Sequence, residues 1–190
     1  MPIDVDSEIR VFDRDEFHAL AHRVLGIAFD VHNEFGRLLD ESIYKRAIAL
    51  RCAATGILPA RQEVQINVRF EGFEKQYFMD LLCATGLMVE AKTVESLTKA
   101  HFSQTLHYLM LTGMSNGLLV NLRPERVTHQ FVSTTLDPCH YPHFSDRNRI
   151  ASSAPWTNVL SFSQPRQMVI QPGSPSDLRP RNPPSLATSR

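Results

Sequence analysis

Asp80, Glu90 and Lys92 have the residue types and spacing most suggestive of chemistry in this 190-residue chain: an aspartate, nine residues, a glutamate, one residue, a lysine. Two carboxylates held close together repel unless something positive lies between them. Mg²⁺ or Mn²⁺ suits that place, because both prefer carboxylate and water oxygens. A lysine beside such a pair can orient a water molecule or stabilise negative charge developing at phosphorus.

Whether the three meet depends on the chain between them. Ala84-Thr85-Gly86 reads as a short turn joining a strand near 75–83 to another at 87–93. With Thr85 at the apex, paired residue numbers sum to 170, which sets Asp80 opposite Glu90 and Phe78 opposite Lys92. Strand side chains alternate, so Asp80, Glu90 and Lys92 project from one face. The plain alternative is a salt-bridged face open to solvent. Met79, Leu81, Leu82, Val89, Ala91 and Val94 argue against it. Strands this apolar belong in a sheet interior, where unneeded charge is expensive.

The surrounding elements follow from changes of period. Apolar residues at 17, 20, 21, 24, 27, 28, 31 and 35 give an amphipathic helix ended by Gly36. A second helix is expected over 39–54, with Leu39, Ile43, Ala47, Ile48 and Leu50 inward. Val64, Ile66, Val68 and Phe70 then alternate with polar residues, as in a strand with one solvated face, and Glu71-Gly72 marks a turn. A helix at 98–112 should pack through Phe102, Thr105, Leu106 and Leu109. The apolar run 117–122 reads as a strand buried on both faces, and 127–133 as an edge strand. The order of helix, helix, three antiparallel strands, helix and strand defines a mixed α/β core.

Two helices bring further polar groups. Gln104 and Tyr108 are four apart and share a helix face, from which an amide and a phenol can meet a phosphate or a base edge. Such a pair is also an ordinary surface feature. Glu41 stands in the first turn of the second helix, where a carboxylate equally suits the helix dipole. Tyr44, one turn on, reads as a core aromatic, and His32 as a capping or core histidine.

Composition bounds the rest. The formal net charge is zero, but residues 145–190 hold six arginines against Asp146 and Asp177, a net of +4, leaving −4 for the remainder. An acidic body suits a cation site and must meet a phosphate backbone through local basic patches. Cys52, Cys83 and Cys139 are odd in number and far apart, which supports neither a disulfide framework nor a zinc site. The acidic opening MPIDVDSEIRVFDRDEF lacks the pattern of a signal peptide, and a cytoplasmic location is expected. Seven of the twelve prolines lie beyond residue 150. The division expected is therefore an N-terminal segment over 1–16, a domain over 17–136, and a Pro/Ser/Arg-rich, largely disordered tail over 137–190. Trp156, Val159, Leu160 and Phe162 form a candidate anchor in that tail.

Four separated stretches resemble one family in series. LGIAFDVHNEFGRLLDESIYKRA (25–47), FMDLL (78–82), VEAKTVESL (89–97) and HFSQTLHYL (101–109) are similar, in order and spacing, to the GxxExxY family of small prokaryotic proteins. The resemblance covers roughly 17–132. That family is assigned to the PD-(D/E)XK nuclease superfamily, whose restriction-endonuclease-like α/β core has the element order read above. The resemblance implies that Asp80 and Glu90 are metal ligands and Lys92 the superfamily lysine. It further implies that Glu41 and Tyr44 are the namesake residues, Glu41 a further metal ligand, and Gln104 and Tyr108 the QxxxY pair of RecB-type nucleases. One departure is plain: the namesake glycine is Leu38 here, although Gly36 remains.

The function expected is Mg²⁺- or Mn²⁺-dependent hydrolysis of phosphodiester bonds in DNA or RNA. Asp80, Glu90 and Glu41 would hold metal, Lys92 would act on the attacking water or the phosphoryl charge, and Gln104 and Tyr108 would orient the strand. A protein of this size can dimerise to contact a duplex. The alternative is a nuclease fold used only as a binding or assembly module.

Overall fold

The first helix begins before its apolar period does. In the computed structural model, which describes residues 2–134, α1 spans Arg14–Phe35. Asp13 caps it: its carboxylate accepts the N–H groups of Asp15 and Glu16 at 2.9 and 2.8 Å, and the Glu16 side chain returns to the Asp13 N–H. This capping box satisfies amides that a helix start leaves without intrahelical partners. The expected inward residues Phe17, Leu20, Ala21, Val24, Ala28 and Val31 are buried. Gly36 ends the helix at φ 72°, and its N–H donates to His32 O.

Helix α2 spans Glu41–Ala54 and differs from expectation in the face it buries. Tyr44, Ile48, Ala49 and Cys52 point inward, whereas Ile43 is 41% and Leu50 62% exposed. Tyr44 decides the rotation. Its hydroxyl donates to Gly36 O at 2.7 Å and accepts the Leu39 N–H at 3.3 Å, so the buried stripe runs through 44, 48 and 52. Hydropathy alone favoured a stripe through 39, 43, 47, 48 and 50, of which only Ile48 is fully buried.

Six strands form one sheet in chain order: β1 Ile3–Val5, β2 Ala60–Phe70, β3 Phe73–Cys83, β4 Leu87–Lys92, β5 Asn116–Asn121 and β6 Thr128–Ser133. Neighbours are antiparallel except β4 and β5, which are parallel and joined by helix α3, Lys99–Thr112. A parallel pair needs such a crossover. β1 was not legible from periodicity; Ile3 pairs with Val68 and is buried. The tight turns stand where expected, with positive φ at Glu71 and Gly72 and again at Ala84 and Thr85.

Helices α1 and α2 cover one face of the sheet, against Leu81, Cys83, Leu87, Val89, Ala91, Leu118 and Val120. Helix α3 covers the other through Tyr108, Leu109 and Leu111, against Val64, Ile66, Met79, Leu82 and Met88. Phe102 and Leu106, expected on its packing face, are only partly buried, because the face is centred on Thr105, Tyr108, Leu109 and Thr112. Phe70, expected inward, is 53% exposed at the hairpin tip. Among the described residues no helix is long and apolar enough to cross a membrane. The tail expected over 137–190, with its candidate anchor, lies outside the described residues.

Candidate metal centre

The pairing of β2 with β3 is interrupted once. Gln62 pairs with Leu81 and Val64 with Met79, leaving Glu63 and Asp80 as the would-be partners that do not pair. Glu63 has φ 50°, a left-handed value uncommon for any residue but glycine. Strict alternation would put Met79 and Leu81 on one face. Instead Leu81 packs under α1 and α2, and Met79 joins the cluster under α3. The change of side falls at Asp80.

The next ladder also ends there. β3 and β4 pair as Cys83↔Leu87, Leu82↔Met88 and Leu81↔Val89, the register that sums to 170, and pairing then stops. In place of a further pair, Asp80 Oδ2 accepts the Ala91 N–H at 3.0 Å. Asp80 and Glu90 thus stand in a fork where the two strands part, rather than within an unbroken sheet.

Side chains from four elements converge on the fork. Lys92 Nζ donates to Glu90 Oε1 at 2.6 Å and lies 3.9 Å from Asp80 Oδ2. Glu90 is fully buried, and burial, with the Asp80 charge adding, pushes its carboxyl up to about 7. Burial works against the Lys92 charge, but its bond to Glu90 holds the ammonium above its usual range. From α2, burial pushes the Glu41 carboxyl up; it feels Lys92, Asp80 and Lys45, and the Thr93 backbone works against the rise. From α3, Gln104 Nε2 donates to the Tyr108 hydroxyl at 3.2 Å. Burial raises the Tyr108 phenol, and the Glu90 and Asp80 charges raise it further. Direct contacts therefore join Asp80, Glu90 and Lys92, while Glu41 and Tyr108, the latter bonded to Gln104, lie within range of their charges.

The family described as the PD-(D/E)XK nuclease superfamily matches residues 18–132. The chain belongs to the PD-(D/E)XK nuclease superfamily. No curated protein matches it. One solved structure, the crystal structure of SSO0001, is 16% identical over 63% of this chain and 80% of that one, with a TM-score of 0.35, too distant a likeness to bear on function.

PD-(D/E)XK nucleases generally use divalent metal ions, and the donor set here is suited to one. Glu90 Oε2 is buried with no hydrogen-bond partner among the described residues. Such an atom is costly unless a cation or donor meets it. Asp80, Glu90 and Glu41 offer only oxygen donors, as hard divalent cations prefer. Even so, among the described residues no three His, Cys, Asp or Glu side chains converge closely enough to hold a metal ion. Two ammonium groups, those of Lys45 and Lys92, stand among the carboxylates instead.

Lys45 was missed in the sequence. Its Nζ donates to Asp80 Oδ1 at 2.9 Å and also to Glu63. Burial opposes its charge, but these two bonds raise the ammonium above its usual range. The available signal was its spacing: four residues after Glu41, it shares that residue's helix face. Glu63 read only as the solvated side of a strand, since nothing local announces its backbone conformation. Asn121 was also missed. It is buried, donates to Val94 O at 2.7 Å and accepts the Val94 N–H at 3.1 Å, fixing the chain as it leaves β4 beside β5. His32 is buried and its Nε2 pairs with Pro124 O at 3.0 Å, a structural role.

Proposed function

We propose that this PD-(D/E)XK protein hydrolyses nucleic-acid phosphodiester bonds with a divalent metal ion, Mg²⁺ or Mn²⁺. The observation that carries the reading is Glu90 Oε2, a buried carboxylate oxygen without a partner among the described residues, beside Asp80 and bridged by Lys92. Asp80 and Glu90 would hold the ion and Glu41 would complete the set. A bound ion supplies Lewis-acid polarisation of the phosphoryl group and makes water more acidic. Lys92 keeps an ammonium at the mouth of the fork, where it can offset charge developing on phosphoryl oxygens. Tyr108, bonded to Gln104 and within range of the Glu90 and Asp80 charges, would orient the strand. The motif resemblance to the GxxExxY family agrees with each of these assignments.

The test is calorimetric titration of Mn²⁺ into wild type and Asp80→Asn, followed by cleavage assays on single- and double-stranded DNA and RNA. Wild type should bind and cleave, and the variant should lose both while staying folded. Full cleavage by Asp80→Asn would remove the assignment.

A second reading has one observation in its favour. Lys45 is bonded to Asp80, as it would be in a nuclease fold whose site serves only binding or assembly. A folded wild type that neither binds Mn²⁺ nor cleaves any of the four substrates would favour it.

A further inference from the structure

Lys45 is a poor fit to a merely structural ion pair. Its side chain is 11% exposed and that of Asp80 10%, so both charges are largely withdrawn from water. Its second partner, Glu63, has a side chain 53% exposed. Lys45 thus stands between a buried carboxylate inside the fork and an outer carboxylate at its rim. Asp80 in turn is bound at both oxygens, Oδ1 by Lys45 and Oδ2 by the Ala91 N–H. A divalent cation approaching Asp80 meets an ammonium 2.9 Å from Oδ1, and like charges at such range repel strongly where water is scarce.

Glu63 supplies the other half. It holds a left-handed backbone conformation in mid-strand, at the point where pairing with Asp80 fails. A residue kept in such a conformation points to a local role for its side chain. Here the bend aims the Glu63 carboxylate at the ammonium that Asp80 also holds.

We propose that Lys45 is a tethered internal cation that guards Asp80 in the metal-free protein, and that Glu63 receives its ammonium when a divalent ion enters. Lys45 keeps its proton throughout and moves only from two partners to one. The inference rests on the metal-centre reading above and explains why Lys45 can contact Asp80 without retiring the site. It makes metal binding a competition, so affinity is set by the balance between the two carboxylates.

The experiment is a double-mutant cycle read as Mn²⁺ affinity by calorimetry, with thermal unfolding as the folding control. Lys45→Met should bind Mn²⁺ tighter than wild type, by on the order of tenfold. Glu63→Gln, which leaves Lys45 nowhere else to go, should bind several-fold more weakly. In the Lys45→Met background the Glu63 substitution should change affinity by less than about twofold, because Glu63 acts only through Lys45. General structural damage would appear as loss in every variant, never as gain. Unchanged or weaker binding by folded Lys45→Met overturns the guard. Equal weakening by Glu63→Gln in both backgrounds overturns the receiving role and makes Glu63 a direct contributor to the ion's field. If neither wild type nor Lys45→Met binds Mn²⁺, the metal-centre reading falls, and this inference with it.

Discussion

Glu90 meets Lys92 through one carboxylate oxygen only: Oε1 accepts the ammonium at 2.6 Å, while Oε2, equally shut from solvent, has no partner among the described residues. The lysine therefore does two things. It compensates a fully buried carboxylate, and it keeps a positive charge at the mouth of the fork. The two roles separate in Lys92→Met. Without the ammonium, removing one partner of a buried pair is expected to destabilise the fold by roughly 3–5 kcal/mol at pH 8, less where Glu90 takes up a proton. Metal-dependent cleavage should fall on the order of 10²–10³-fold, as for loss of one electrostatic donor, whereas Mn²⁺ affinity should hold or rise. Single-turnover cleavage beside calorimetry checks this. Parallel loss of Mn²⁺ binding and cleavage would make Lys92 a support for the ligands rather than a group acting on phosphate.

A pH dependence of stability follows from Glu90 alone. Its carboxyl is raised from the usual 4.5 to about 7, so the folded state holds a proton that the unfolded state releases. The stabilisation is full below pH 4.5 and is lost as pH rises through about 7. Metal-free wild type should therefore lose stability between pH 5 and pH 8, with Glu90 contributing on the order of 3 kcal/mol. Glu90→Gln, neutral at every pH, should lack that component. Denaturation with chelator present, compared between the two proteins at several pH values, isolates it from the histidines. Parallel curves would show that Glu90 is ionised throughout.

Asn121 predicts a loss of another kind. Its amide ties both backbone groups of Val94 at 2.7 and 3.1 Å, and its Oδ1 also accepts the Arg123 N–H at 3.3 Å. Asn121→Ala leaves those half-buried groups without the amide that pairs them, at a cost of roughly 1–2 kcal/mol. Thr93, whose backbone acts on the Glu41 carboxyl, precedes Val94, so Mn²⁺ affinity should weaken modestly too. Chemical denaturation and calorimetry measure the two effects. A stable variant with wild-type affinity would show that β4 is held at its exit by pairing with β5 alone.

The sequence carried the parts of this centre that rest on local rules. A three-residue turn fixed the β3–β4 register, so counting brought Asp80 and Glu90 to the same end of the ladder, though pairing stops at Leu81↔Val89 before it reaches them. Helical spacing put Gln104 beside Tyr108. What could not be read depends on contacts distant in the chain. The fork arises from a skipped pair between Glu63 and Asp80, seventeen residues apart, and no hydropathy pattern records a skipped pair. The buried face of α2 follows Tyr44, whose ring is fully buried and whose hydroxyl is bonded across the preceding loop, and not the stripe with more leucine and isoleucine. Lys45 followed that rotation into the site. Three residues at β1 were too few to show a period at all.

Tyr44 offers the most economical test of how α2 aims its charges. The loop before α2 has Leu38 where the resembling family has glycine, yet Leu38 is 76% exposed and has no left-handed φ. Tyr44 holds the loop instead, bonding Gly36 O and the Leu39 N–H across it. Tyr44→Phe keeps the buried ring and removes only those two bonds, for an expected loss of about 1–2 kcal/mol in stability. Because Glu41 lies three residues before Tyr44 on the same helix start, Mn²⁺ binding should weaken by a few-fold. That second effect should vanish in a Glu41→Gln background, where the carboxylate being aimed is gone. A Tyr44→Phe protein that loses stability but binds Mn²⁺ as wild type would confine the hydroxyl to the fold and leave Glu41 aimed by the helix alone.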